Sequence, residues 1–319
     1  VGHVTLSEAE GHVTLSEAEG SLDHVKRDSS LSLGMTEPRH VTLSEVEGSR
    51  NADASIIRTV QQHYDASIIR AVQQHYDVRS FDCMSEIVLE EVRNHTLLGE
   101  VEQYFDPGQW QRVVDVGCGA SARNPIFALR YWGREAVAVD LSWRTLQRAH
   151  ERIAVPFVNG NVLALPFQDE AFDFATSTGV IHHTPDPREA LRELKRIVRP
   201  GGGMFVSVYN RRSIYYPVYR CLGGVFRALV RLRLEPLVRW IFVPLYALVY
   251  APIVWMSVKR VVPVPYRQAA ADFDDKFLNP YVLFYLPEEI EEWIAADGLV
   301  CLKSGTHMAS MMLGFLIRK

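Results

Sequence analysis

One ten-residue stretch constrains this chain more than any other: Arg112 to Ser121, R-V-V-D-V-G-C-G-A-S. Val113, Val114 and Val116 are β-branched and apolar, as a strand buried on both faces of a parallel sheet must be. Asp115 sits at its end. Gly117 and Gly119 carry no Cβ, so the backbone can turn tightly and let a ligand rest against main-chain N–H groups. The spacing predicts a helix from about Ala122, with its N-terminus aimed at the same place. A ligand bearing a nucleotide or an amino-acid moiety suits such a site.

Two glycine loops compete for this pattern. A dinucleotide fold wants G-x-G-x-x-G, whereas this loop reads D-x-G-x-G-x-S, with an acid before the first glycine and Arg123 following Ala122. The loop resembles motif I of the class I S-adenosylmethionine-dependent methyltransferases. Ser121 departs from the family's last glycine, and serine is small enough to serve there.

After the loop an α/β rhythm follows. Glu135 to Val139 reads as a second strand ending in Asp140, about twenty residues beyond the glycines, where a carboxylate can accept from both hydroxyls of a ribose. Ser142 is the expected N-cap of the next helix, with Leu146 as its apolar residue. Val155 to Val158 leads into N-G-N-V-L-A-L-P-F. Phe172 to Thr178 ends in G-V-I-H-H-T-P-D-P, a helix spans Arg188 to Val198, R-P-G-G-G turns the chain, and Met204 to Tyr209 is a fifth strand. The order L-P-F, F-D-F-A, H-x-P-D-P, R-x-x-R-P-G-G resembles the methyltransferases of ubiquinone and menaquinone biosynthesis. The likeness runs from Val113 to Tyr209 and returns more weakly from Pro287 to Lys319.

That resemblance implies further roles. Asn161 stands where the family commonly has an acid that bonds the adenine amino group, and an amide oxygen can accept too. Val162 would lie against the adenine face. Tyr76 is the candidate for a Tyr-Asp element that closes over the cofactor from an N-terminal helix. His183 matches a family histidine; with His182 it lies past the fourth strand, where an imidazole could orient a nucleophile or take its proton. The cofactor so implied is S-adenosylmethionine, bound by Asp115, Gly117, Gly119, Asp140, Asn161, Val162 and Tyr76.

The 319 residues fit one large α/β domain with extensions, and a net charge of −4 gives no electrostatic footprint for nucleic acid. Cys83, Cys118, Cys221 and Cys301 lie far apart and indicate neither a disulfide framework nor a zinc site. Val1 to Gly20 has no apolar h-region, which leaves a cytoplasmic location as the expectation. His3 to Gly11, H-V-T-L-S-E-A-E-G, recurs at His12 to Gly20 and, with one change, at His40 to Gly48. Residues 1–52 therefore read as a disordered, repeat-containing tail that need not belong to the native protein. Residues 53–77 are a duplicated helical segment, A-S-I-I-R-T-V-Q-Q-H-Y-D followed by a near copy that ends in Tyr76 and Asp77. The domain proper is 78–319, beginning with a helix over Ser85 to His95.

Within it, 211–285 is an insertion. Arg211 to Ala270 holds ten basic residues, Arg227, Arg231 and Arg239 among them, against the one acid Glu235, and Trp240 to Val258 is uncharged. A single membrane crossing would separate the last two strands, Leu299 to Lys303 and Met311 to Ile317, from their sheet. The run must lie in a membrane interface or fold over the active site, with Pro244 and Pro252 expected to kink it. The fold expected is thus a Rossmann-like, seven-stranded, mostly parallel sheet with helices on both faces and a helical apolar and basic insertion after strand five. The function expected is methyl transfer to an O, N or C atom of a small lipophilic acceptor, with peripheral membrane contact through 211–260, at the inner face of a membrane. A catalytically silent binding module and a nicotinamide-dependent oxidoreductase are the alternative readings.

Overall fold

The computed structural model describes residues 5–9, 12–16, 54–78, 86–258, 265–308 and 310–319. The chain divides into two units, Val1–Ile57 and Arg58–Lys319. In the first, Thr5–Ala9 and His12–Ser16 pair as an antiparallel ribbon made of the first two repeat copies. The rest of the tail expected to lack structure lies outside the described residues.

The second unit is built on seven strands: β1 (Val113–Val116), β2 (Ala136–Asp140), β3 (Phe157–Asn159), β4 (Phe172–Thr178), β5 (Val198–Tyr209), β6 (Val300–His307) and β7 (Met312–Arg318). Their order is 3-2-1-4-5-7-6, with β7 alone running antiparallel to its neighbours. All four β1 residues are buried, which is why the strand reads as unbroken apolar sequence around Asp115. The order reverses between β1 and β4, so a crevice opens at the carboxyl ends of those strands, where the glycine loop sits.

Helices cover the sheet, α4 (Trp143–His150), capped by Ser142, among them. On one face, α5 (Pro187–Ile197) buries Ala190, Leu191, Leu194 and Ile197 against the sheet, an i, i+1, i+4, i+7 stripe. It is started by Asp186, whose carboxylate accepts from the Glu189 N–H at 2.9 Å, and by Pro187 in the first turn. On the other face α2 (Glu86–His95) and the turn Leu97–Gln103 pack with Trp110, Phe127, Phe174 and Phe205. Burying each such aromatic stabilises the fold by roughly 2 to 3 kcal/mol.

The structure sharpens two local expectations, on the helix after the glycine loop and on the duplicated segment, and corrects a third, on R-P-G-G-G. The helix after the glycine loop, α3 (Arg123–Phe127), is short and passes into a wider π turn at Ala128–Trp132. The R-P-G-G-G segment does not precede β5 as a turn but lies within it as a bulge, since Phe172 pairs with Val198 and Phe174 with Gly203. Gly201 accommodates this at φ +75°. The duplicated segment forms a single helix, α1 (Ala54–Val78), in which Tyr64 from the first copy and Ile68, Val72 and Tyr76 from the second make one stripe against Tyr281.

The insertion is helical: α6 (Gly224–Arg231), α7 (Val243–Val258) and α8 (Tyr266–Phe273) precede α9 (Pro287–Ala296), which rejoins the sheet. Pro244 is the second residue of α7, just after the π turn Val238–Phe242 that leads into it, and the helix continues through Pro252. Neither proline ends it. Among the described residues, no helix is long and apolar enough to cross a membrane.

Candidate active site

A cavity of about 810 Å³ opens at the carboxyl ends of β1, β2 and β4. One wall is the strand edge, with Gly117, Gly119, Asp140, Asn161, Val162 and His183. The other is the insertion, which contributes Phe226, Phe242, Leu245, Tyr246, Val249 and Tyr250. The uncharged run therefore folds over the site as a cap.

The glycine loop is pinned from below. The N–H groups of Gly117 and Cys118 both donate to the Val139 carbonyl, at 2.7 and 2.9 Å. Gly117 has φ +81°, and a Cβ there would lie 2.2 Å from Val180 Cγ2, so no other residue fits without displacement. Gly119 has φ +62°, and a Cβ on it would meet no protein atom within 4 Å. It borders open cavity.

Asp140 joins the loop to the next strand. Its Oδ2 accepts from the Gly119 N–H at 3.0 Å and its Oδ1 from the Ser142 N–H at 2.9 Å, leaving further lone pairs on both oxygens. Burial pushes its pKa up to about 6; the two N–H bonds oppose that rise, and the Asp115 and Asp77 charges add to it. Asn161 lines the cavity with its Oδ1 already accepting from Leu163 N–H at 3.0 Å, and Val162 is buried beside it. An open glycine turn, a carboxylate with spare acceptor sites and an apolar wall with an amide fit the amino-acid, ribose and adenine parts of S-adenosylmethionine in that order along the strand ends.

Two expected site residues are elsewhere. Asp115 is behind the loop, off the cavity wall: its Oδ1 accepts from Asn124 Nδ2 at 2.9 Å and the Thr176 hydroxyl at 2.5 Å, and burial raises it to about 6. It braces the turn instead of facing a ligand. His182 is fully buried with neither ring nitrogen partnered, its ring 4.2 Å from both His183 and Tyr209. Burial drives its pKa well down, so it packs as a neutral ring.

His183 faces the cavity. Its Nδ1 lies 2.8 Å from the Tyr281 carbonyl, which can only accept, so Nδ1 carries the proton and Nε2 keeps its lone pair. Burial lowers its pKa, with the Asp275 charge opposing. Tyr76 stands edge-on to it, ring centres 6.1 Å apart. The Tyr76 hydroxyl donates to Asp275 Oδ1 at 2.8 Å and accepts from Asn279 Nδ2 at 3.0 Å, while the Ser142 hydroxyl donates to Asp77 at 2.5 Å.

Sequence reasoning missed Tyr209, Asp275 and Asn279. The Tyr209 hydroxyl reaches Asp275 Oδ2 at 3.3 Å, so one cap carboxylate ties α1 to the end of β5. The available signal was the acidic cluster A-D-F-D-D-K, directly after the basic run. Its three acids each fasten something: Asp272 holds Tyr246 and Lys276, Asp274 holds Arg239 at 2.6 Å, and Asp275 holds the two tyrosines.

Residues 114–206 match the family described as methyltransferase domain. Among curated proteins, the chain is 40% identical over 98 residues to a malonyl-[acyl-carrier protein] O-methyltransferase of Salmonella typhimurium, covering 30% of this chain and 37% of that protein. It is 33% identical over 105 residues to a demethylmenaquinone methyltransferase of Renibacterium salmoninarum, covering 33% and 43%. To a ubiquinone biosynthesis O-methyltransferase of Alkalilimnicola ehrlichii it is 32% identical over 139 residues, covering 42% and 55%. The chain thus spans between 37% and 55% of the length of these relatives. Through residues 114–206, the chain is similar to these S-adenosylmethionine-dependent methyltransferases.

Proposed function

We propose that this protein transfers the methyl group of S-adenosylmethionine to a small lipophilic acceptor enclosed between the strand edge and the cap. The observation that carries the reading is one continuous cavity, polar where it meets the glycine loop and apolar where it meets α7. When bound, S-adenosylmethionine supplies an electrophilic methyl group on a sulfonium. The protein's part is alignment and exclusion of water, since an aligned pair gains most of its rate from proximity. Asp140 would accept from the ribose hydroxyls, Asn161 from the adenine amino group, and Val162 would pack on the ring. Gly117 and Gly119 would admit the amino-acid end, with Asp115 holding the turn in shape.

His183 is the candidate base. With Nδ1 fixed as donor to Tyr281, its Nε2 can take a proton from an acceptor hydroxyl as the new bond to carbon forms. Two of the relatives are named as O-methyltransferases, which favours an oxygen acceptor, and two are named for quinone compounds, which favours a lipophilic one. Tyr76, held by Asp275 and Asn279, would close the site over the cofactor.

The acceptor's lipophilicity suggests how it is reached. Trp240 is 82% exposed and Leu248 74%, and Leu232, Leu234, Leu237 and Ile241 are exposed on the same cap. Exposed Arg220, Arg231 and Arg233 accompany them. Apolar side chains with adjacent arginines suit shallow docking into an anionic bilayer surface. Arg227, one of the ten basic residues of the insertion, instead faces inward: it donates to the Phe277 carbonyl at 3.0 Å and stacks 4.3 Å over Tyr219, holding the cap together from inside.

The test is transfer of tritiated methyl from S-adenosylmethionine into a lipid extract, with vesicle flotation in parallel. Label in an organic-soluble product, lost in Asp140→Ala and reduced in His183→Ala, is the expected result. No label from any lipid fraction, with S-adenosylmethionine bound normally, would overturn the lipophilic acceptor and favour a silent binding module. Failure of the wild type to float with anionic vesicles at low salt would overturn the membrane contact alone.

A further inference from the structure

One part of the cavity lining, here called a lobe, is left unused by methyl transfer as described. It runs along α2 and the turn after it, on the face of the sheet that carries Phe205, and is bordered by Val92, Leu98 and Met311. Beside His95 and Thr96 at the end of α2, two further basic groups line it: Arg123, the first residue of α3, and His307, the last of β6. The Arg123 Nε is fully buried with no hydrogen-bond partner. His307 is 7% exposed, and its Nδ1 is likewise buried and unpartnered. Its ring is wedged against Gly314, where a Cβ would come within 3.3 Å of it, so it is held in place by packing alone.

Unpaired buried donors cost free energy, about 1 to 3 kcal/mol for a neutral group and more for a charged one, and persist where a ligand completes them. The carboxylates that line the same cavity are engaged elsewhere: Asp140 with Gly119 and Ser142, Asp272 with Tyr246 and Lys276, and Asp275 with Tyr76 and Tyr209. Asp115, behind the loop, feels the Arg123 charge without bonding to it. A planar guanidinium with free donors beside an imidazole matches a carboxylate, which accepts from several donors at once.

We infer that Arg123 and His307 form a carboxylate-binding subsite, open to the α-carboxylate of the cofactor or to a carboxylate carried by the acceptor. The cofactor arm rests on the methyltransferase reading; the acceptor arm does not. Arg123 adjoins the glycine loop, so the first source needs no long reach, while the lobe's apolar border would suit the chain of an acidic lipid.

Calorimetry with S-adenosylhomocysteine and with 5′-methylthioadenosine, which lacks the amino-acid end, separates the sources when run on wild type, Arg123→Gln and His307→Gln. Fluorescence titration with cis-parinaric acid and its methyl ester, with and without S-adenosylhomocysteine, is the acceptor arm. If the subsite holds the cofactor, Arg123→Gln weakens S-adenosylhomocysteine by about tenfold or more and leaves methylthioadenosine unchanged. If it holds the acceptor, both nucleosides bind as before and the preference for the acid over its ester disappears. Unchanged affinities in all arms with a lowered Tm would overturn the inference and make Arg123 a counter-charge to Asp115. Wild-type protein that binds neither nucleoside would sink the cofactor assignment separately, and the parinaric arm would still decide Arg123.

Discussion

The two walls of the cavity hold their shape by different means. The strand-edge wall is fixed mainly at its backbone N–H groups: those of Gly117 and Cys118 hang from one carbonyl and that of Gly119 from Asp140, while Asp115 braces the turn through Asn124 and Thr176. The cap wall is fixed by side chains, with Asp272, Asp274 and Asp275 fastening Tyr246, Arg239, Tyr76 and Tyr209. Backbone geometry tolerates almost no substitution and varies little. Side-chain fastenings can be exchanged one at a time, so a cap can be altered for a new acceptor while cofactor binding persists. If that contrast is right, damage to the first wall should be all-or-none and damage to the second graded.

The largest effect is expected from Gly117→Val. The backbone is at φ +81° and the new side chain would collide with Val180, so cofactor affinity should fall more than a hundredfold, with a stability loss of about 3 kcal/mol or more. Calorimetry and thermal melting read both. Near-normal affinity in a folded variant would break the contrast at its root.

Asp140→Ala comes next, with a loss of about ten- to a hundredfold as two bonds to the ribose disappear, roughly 1.5 to 3 kcal/mol. Its pH dependence sharpens the point. The folded pKa, about 6, lies above the usual carboxylate value, so Asp140 contributes stability to the free protein that is present below the unfolded value and is lost as pH rises through about 6. Cofactor affinity should run the other way, weakening as pH falls through about 6 because the acceptor oxygens become protonated. Titration calorimetry between pH 5 and 8 should show that slope in wild type and a flat profile in Asp140→Asn; matching slopes would remove Asp140 from the ribose.

Asp275→Ala should be milder, costing about 1 to 3 kcal/mol of stability by leaving the Tyr76 and Tyr209 hydroxyls without their shared acceptor. S-adenosylhomocysteine affinity should drop only several-fold, and a collapse as deep as that of Gly117→Val would show that the two walls are not separable. Trp240→Ser should be the smallest change. At 82% exposure the side chain supports little of the fold, so melting should shift by no more than about 0.5 kcal/mol equivalent while vesicle flotation weakens measurably. A large stability loss there would mean that the cap surface is covered by something else.

The strand-edge wall was legible because its constraints are local. A β-branched run, two glycines and an acid at fixed spacing specify strand, turn and carboxylate without reference to distant residues, and the sheet places Gly117, Gly119, Asp140, Asn161 and Val162 on one wall. His183 was legible as a position and not as a tautomer, since the Tyr281 carbonyl that sets it lies 98 residues away. The cap was legible as composition only. Counting charges found ten basic residues and suggested an outward-facing patch, whereas Arg227, Arg239 and Arg211 bond inward to Phe277, Asp274 and Phe284.

The sequence by itself determined the α/β rhythm, the glycine loop, the acid at the end of the second strand and the presence of a basic, apolar insertion. Periodicity and spacing carry these, because each depends on neighbours within a turn or a strand. Only the tertiary structure decided that the insertion folds over the cavity, that Asp115 and His182 stand away from the ligand wall, that Asp275 joins Tyr76 to Tyr209, and that Arg123 and His307 line the same cavity. Those depend on pairings between residues as much as 199 positions apart, whose directions follow from how helices pack on the sheet and leave no periodic trace along the chain.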